Sequence, residues 1–260
     1  MYRRLPNSMS AVIRTLTTAR DTYKLTTTPL DRAIDAETFA KLDDASPTSL
    51  LSRLIKEAAD VDLALAAQAP FTSALSLEAA HLTMYVSHFH QVLDLGILRG
   101  DFLPGDRPYY GRDITATTVP ALATYDAVEE AAAAIVKGEA DRQAAATAAG
   151  KPFTPMTLPS AAQVATVLAA FKEARDKSQL AQTKTETERE EAQTIYTEAQ
   201  ALAVDICDTV EFFYRKDPEP ASRRSKCRRW GVVYITEPGE TPDPGTEGTV
   251  IQNAPITPIN

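Results

Sequence analysis

Apolar residues recur at alternating steps of three and four along most of this chain, the spacing of helices that bury one face. Proline and glycine clusters cut the pattern into segments. Val12, Ile13, Leu16 and Tyr23 predict a short helix over about residues 8–24, stopped by Thr26-Thr27-Thr28-Pro29. A second short helix is predicted over 35–42, and Ser46-Pro47 then offers an N-cap followed by proline in the first turn. From there a seam runs through Leu51, Leu54, Ala58, Val61, Leu65, Gln68, Thr72, Leu75, Ala79, Leu82, Val86, Phe89 and Leu93. Its register passes through Pro70 unchanged, which predicts one long kinked helix, and Gly100 ends it.

Residues 101–120 carry Pro104-Gly105, Pro108, Tyr109-Tyr110-Gly111 and Pro120 without helical or strand periodicity, and read as a structured loop. A helix is predicted over about 124–149, weakened at Gly138 and closed by Gly150. Ser160-Ala161-Ala162-Gln163 matches the capping box, in which both side chains satisfy free backbone donors at a helix start. Neither glycine nor proline occurs between Pro159 and Pro218. A single helix filling that interval would run on the order of 85 Å at ~1.5 Å per residue. Its seam is apolar at both ends, through Val164, Leu168 and Phe171 and again from Ala192 to Phe213, but polar at Arg175, Ser178, Gln182, Thr185 and Arg189. The absence of a turn residue favours one continuous helix over a hairpin.

After Pro218 and Pro220 the chain becomes basic, with Arg223, Arg224, Lys226, Arg228 and Arg229. Trp230-Gly231-Val232-Val233-Tyr234-Ile235 follows as the clearest strand candidate. One strand needs a partner, either Thr249-Val250-Ile251-Gln252 folded back as a hairpin or a strand of another subunit. The closing prolines read as an extended arm. The predicted fold is therefore mainly α: an elongated bundle of long antiparallel helices over 1–217, then a basic segment, a small β element and a Pro/Thr-rich arm over 218–260.

Composition narrows the picture. Hydrophobic residues make up 44% and charged residues 24%, globular values, and much of the apolar share is alanine, which suits close helix pairing. The net charge of −8 argues against general nucleic-acid binding. No apolar run approaches the ~20 residues that cross a bilayer, so no membrane insertion is expected. The start lacks the apolar stretch of a secretory signal, which makes a cytoplasmic location the expectation, with signal-less export as a further route. Two cysteines, Cys207 and Cys227, rule out a disulfide framework or a four-cysteine zinc site.

Candidate chemistry is sparse. Glu78 and His81 have the Glu-x-x-His spacing that places two metal-binding side chains on one helical face, and His88 extends the stripe. No second Glu-x-x-His exists, and these residues read more simply as a polar flank beside the Leu82, Val86 and Phe89 seam. No nucleophile elbow or glycine-rich phosphate loop is present, and no catalytic residue or cofactor is expected. The basic cluster is best matched to acidic helix surfaces such as the stretch from Glu186 to Glu191, within the chain or in a neighbouring subunit.

Several blocks carry a resemblance: Tyr85-Val86-Ser87-His88-Phe89-His90-Gln91-Val92-Leu93, Tyr109-Tyr110-Gly111, Val210-Glu211-Phe212-Phe213-Tyr214 and Arg228-Arg229-Trp230-Gly231-Val232-Val233-Tyr234. Together they resemble a family of uncharacterised bacterial helical proteins, in which isoleucine commonly stands at the position of His90 and small residues at that of Cys227. The resemblance implies a helical architecture and carries no activity. The expectation from all of this is a structural or assembly protein, homo-oligomeric. It would join copies through helical faces and through Arg223, Arg224, Arg228, Arg229, Trp230, Val232, Tyr234, Val250 and Ile251, into a filament, tube, sheet or ring. The alternatives are a helical metal-binding protein or enzyme centred on Glu78, His81 and His88, and an adaptor for another protein.

Overall fold

The structure, a computed structural model, describes residues 1–116, 118–236, 238–240 and 243. It is mainly helical. In chain order the elements are β1 (Tyr2–Arg4), α1 (Met9–Leu25), α2 (Ala36–Ala40), α3 (Leu50–Arg99), α4 (Tyr125–Ala148), α5 (Ala161–Phe213), α6 (Pro220–Arg229) and β2 (Val233–Ile235). Short 3-10 turns lie at Pro29–Asp31 and Pro104–Tyr110.

Side-chain caps fix the helix starts. The Ala11 N–H donates to Ser8 Oγ at 3.3 Å, Thr38 N–H to Asp35 Oδ1 at 2.7 Å and Ala127 N–H to Thr124 Oγ1 at 3.2 Å. Both arms of the capping box form at α5: Gln163 N–H reaches Ser160 Oγ at 3.2 Å and Ser160 N–H reaches Gln163 Oε1 at 2.8 Å. The start of α3 departs from expectation. Its cap is Ser49, whose Oγ accepts the Ser52 N–H at 3.2 Å, while Ser46 and Pro47 form a preceding turn closed by Ser49 N–H on the Ser46 carbonyl at 3.1 Å. Proline's fixed φ serves that turn as readily as a first helical turn, so the local sequence leaves the choice open.

α3 runs unbroken through Pro70 for 50 residues, and α5 is one helix of 53 residues through its polar middle. The hairpin alternative is not adopted. The chain forms two compact units, residues 1–62 with 187–260 and residues 63–186. The first part of α3 and the last part of α5 belong to one unit, the rest of α3 and the first part of α5 to the other.

In the first unit, Val12, Leu16 and Ala19 of α1 pack with Leu51 and Leu54 of α3 and with Ala203, Ile206 and Val210 of α5. The segment after residue 217 is folded onto this core: Cys227, Trp230 and Val232 are buried in it. The basic segment, for which the sequence predicts no element, begins with the helix α6, with Pro220 in its first turn, where the missing N–H costs nothing. β2 pairs antiparallel with β1, Tyr2 opposite Ile235 and Arg4 opposite Val233. The partner found is the start of the chain, a segment in which the sequence predicts no strand. The physical reason is the docking of α6 against α1: a Cβ on Gly231 (φ 92) would lie 2.7 Å from the Thr15 carbonyl oxygen, so the chain passes tightly over α1 and delivers β2 beside residues 2–4. The 249–252 segment lies outside the described residues.

In the second unit, Leu82, Val86, Phe89 and Leu93 of α3 pack with Val128, Ala132 and Ile135 of α4 and with Val164, Leu168 and Phe171 of α5. Arg175 fastens α5 to α4 through Asp126 (2.6 Å) and Glu129 (2.9 Å). No helix among the described residues is long and apolar enough to cross a membrane.

Candidate interaction surface

The basic cluster is largely satisfied within its own unit. Arg224 donates to both oxygens of Asp243 at 2.9 and 2.5 Å, and Arg228 reaches Asp243 at 2.8 Å. Hydrogen bonds from Arg224 first, and from Arg228, hold the Asp243 carboxyl down at about 2. The acidic partner of these arginines is thus Asp243 rather than the Glu186 to Glu191 stretch. Lys226 pairs with Asp217 at 2.6 Å. Arg223 is half-buried and Arg229 is exposed on α6. Trp230 is 1% exposed and donates its indole N–H to the Tyr214 hydroxyl at 3.1 Å, and Val232 is buried beside it. Both are core residues of this chain, a role their place in an aromatic and β-branched run did not distinguish from an interface. Half-buried Tyr234 donates to Glu211 at 2.5 Å. Val250 and Ile251 lie outside the described residues.

The histidines divide. Glu78 Oε2 lies 3.8 Å from His81 Nδ1, and the His81 ring meets Tyr85 edge-on at 5.1 Å. His88 lines a shallow groove of about 400 Å³ with Met84, Val92, Leu95, Leu158 and Pro159. Among the described residues, the one group of three acidic, His or Cys side chains whose ligand atoms converge within 4.8 Å is Glu57, Glu188 and Glu191, so Glu78, His81 and His88 are not drawn together into a site. His90 is fully buried, with neither ring nitrogen hydrogen-bonded, and burial, reinforced by Arg112, pulls its pKa down to about 4. Such a group packs as an apolar side chain.

Other polar clusters serve the fold. Asp94 accepts from Arg107 at 3.0 Å and Arg112 at 2.9 Å, pinning the 104–110 turn to α3. Tyr110 and Arg142 both engage Glu139, whose second oxygen accepts the Met156 N–H at 2.8 Å. Cys207 is buried, which pushes its thiol up to about 11 and away from nucleophilic use. A cleft of about 600 Å³ in the first unit is lined by Tyr23, Arg32, Asp35 and Asp205, but Arg32 stacks over the Tyr23 ring at 4.3 Å and Asp35 caps α2.

What remains uncovered is the outer face of α3. Two positions on from each residue of the seam, which is buried from Leu75 to Leu93, and hence on the opposite side of the helix, runs a second series with the same alternation of four and three. It begins Leu63, Ala67, Pro70 and Ala74 and continues through Leu77, His81 and Met84 to His88, Gln91, Leu95 and Leu98. Every one of these positions is exposed, Leu63 at 67%, Leu77 at 70% and Leu98 at 82%. None carries a formal charge at neutral pH with histidine neutral, and in the whole interval from Leu63 to Leu98 the acids are Glu78 and Asp94, the second already paired with Arg107 and Arg112. A solvent-facing helix normally carries charge on its outer face. The signal was present in the sequence as an uncharged stretch with two offset stripes, only one of which a single core can bury.

No family model, no curated protein and no solved structure matches this chain.

Proposed function

We propose that this chain is a structural or assembly protein that self-associates through a helical face. The observation that carries this reading is the exposed, uncharged outer face of α3 from Leu63 to Leu98. In a chain of net charge −8, two copies repel over most of their surfaces, and a face without charge is where like copies approach at least electrostatic cost. A second point of attachment is the two-stranded sheet of β1 and β2, a template for adding a strand from the C-terminal arm of a neighbour.

The test is light scattering coupled to size exclusion on the full chain and on a version ending after Thr236. Assemblies of defined stoichiometry support the reading, and their reduction to a smaller species on truncation assigns the arm a part in them. A full-length chain that stays monomeric at high concentration overturns self-association and directs the search to a different protein as the occupant of the α3 face.

A further inference from the structure

The order of side chains along the outer face of α3 is directional. Between Leu63 and Leu77 its first half carries the small residues Ala67, Pro70 and Ala74, whereas its last half, Met84, His88, Gln91, Leu95 and Leu98, carries none. Two copies laid parallel and in register would set small residues against small ones and large against large, leaving a gap at one end and crowding at the other. Laid antiparallel, Ala67, Pro70 and Ala74 each meet a larger residue. We propose that the chain forms a two-fold symmetric dimer by antiparallel pairing of α3 helices, with the axis between His81 and Met84. This rests on the self-association reading and specifies its geometry and partner, a second copy of the same chain.

Antiparallel coiled-coil layers join the two kinds of seam position. In this register Ala67 lies opposite Leu98 of the second copy, Pro70 opposite Leu95, Ala74 opposite Gln91, Leu77 opposite His88, and His81 opposite Met84. A shift by one heptad would leave Leu98, at 82% exposure the barest leucine of the face, opposite Asp60 and outside the apolar contact. The groove bounded by Leu158 and Pro159 flanks the face at Met84, His88 and Leu95, where His81, Leu77 and Pro70 of the incoming helix would lie.

The available area is sufficient. From Leu63 to Leu98 the helix is about 50 Å long, and a strip about 10 Å wide gives about 500 Å² per copy. The pair would bury about 1,000 Å², the lower bound of a specific interface, so the dimer should be reversible and concentration-dependent. Antiparallel packing also aligns the helix dipoles favourably.

The experiment is site-directed cross-linking of the full chain with a short bismaleimide, alongside sedimentation velocity. Single substitutions His81→Cys, Ala67→Cys and Leu98→Cys are compared with the unsubstituted chain, in which Cys207 and Cys227 are buried and give the background. The expected result is a covalent dimer from His81→Cys alone, and from Ala67→Cys only when mixed with Leu98→Cys. Leu77→Asp, at an exposed position, should retain the helical circular dichroism of the parent and raise the dimer dissociation constant at least about tenfold. Self-cross-linking of Ala67→Cys would establish parallel pairing and overturn the register. Dimers that Leu77→Asp leaves intact and His81→Cys does not cross-link would overturn this face while leaving self-association standing. A monomer throughout would overturn both.

Discussion

Gly138 lets the carbonyl oxygen of Tyr109 approach so closely that a Cβ at residue 138 would lie 2.0 Å from it. The glycine sits inside α4, where helix propensity alone would favour alanine by about 1 kcal/mol. Packing reverses that preference. The 104–110 turn lies directly on α4 at this point, and a methyl group there would lift Tyr109 and with it the buried Tyr110. Gly138→Ala should therefore destabilise the second unit by about 2–3 kcal/mol, opposite in sign to the propensity scale. Urea unfolding followed by circular dichroism decides it, and a stabilised variant would show that the turn is free to move.

The Tyr110, Glu139 and Arg142 cluster is buried or nearly so, and Arg142 also donates to the Thr154 carbonyl at 2.7 Å. Removing Glu139 takes the counter-charge from the Arg142 guanidinium and the acceptor from the Tyr110 hydroxyl and the Met156 N–H. Glu139→Ala should cost about 3–5 kcal/mol, the range for breaking a buried charge pair by removing one partner. Tyr110→Phe, which removes one hydroxyl and keeps the ring against Phe89, should cost less. Equal losses in the two variants would count against a shared network.

Fully buried His90 lacks a hydrogen-bond partner for either nitrogen among the described residues. Replacing it by leucine removes two unsatisfied polar atoms at similar volume, and His90→Leu should stabilise the fold by about 1–2 kcal/mol at neutral pH. The acid dependence has a fixed sign. The folded-state value of about 4 lies below the ordinary histidine value, so the unfolded chain binds the proton first. Stability that is present at neutral pH is lost as the pH falls from about 6.5 toward about 4, and His90→Leu should lose less over that window. Parallel pH profiles of parent and variant would refute this placement of the histidine.

Trp230 is almost fully enclosed in the first unit by residues of that same unit. Trp230→Ala should cost about 3–5 kcal/mol and weaken the docking of the chain after residue 217, read as faster proteolysis between Pro218 and Trp230. A variant as stable as the parent, but altered in its oligomeric state, would instead return Trp230 to a surface role.

How much of this was legible varies with the distance over which each feature is decided. The course of α3 through Pro70 followed from a hydrophobic register that did not slip there, and the start of α5 from Ser160 and Gln163, whose reciprocal hydrogen bonds involve four consecutive residues. The start of α3 was misplaced by three residues because Ser46 and Ser49 are equivalent local candidates, and the turn through Pro47 decides between them. The strand at 233–235 was recognised from its Val, Tyr and Ile, but its partner was not, since residues 2–4 carry two arginines and no strand signature of their own. The uncharged outer stripe of α3 was visible as composition and passed over, because a buried stripe beside it already accounted for the helix.

The long helices, the capped start of α5 and the face that each long helix buries were determined by the sequence itself. Those properties arise from spacings of three and four residues and from caps, which act within a turn of the chain. The tertiary structure alone decided that β2 pairs with β1, that Trp230 is core, that Gly138 is a point of contact and that the second stripe of α3 is left bare. Each depends on which distant segments arrive at one place, and that is set by the packing of whole helices, a sum over contacts in which no single neighbourhood of sequence holds the answer.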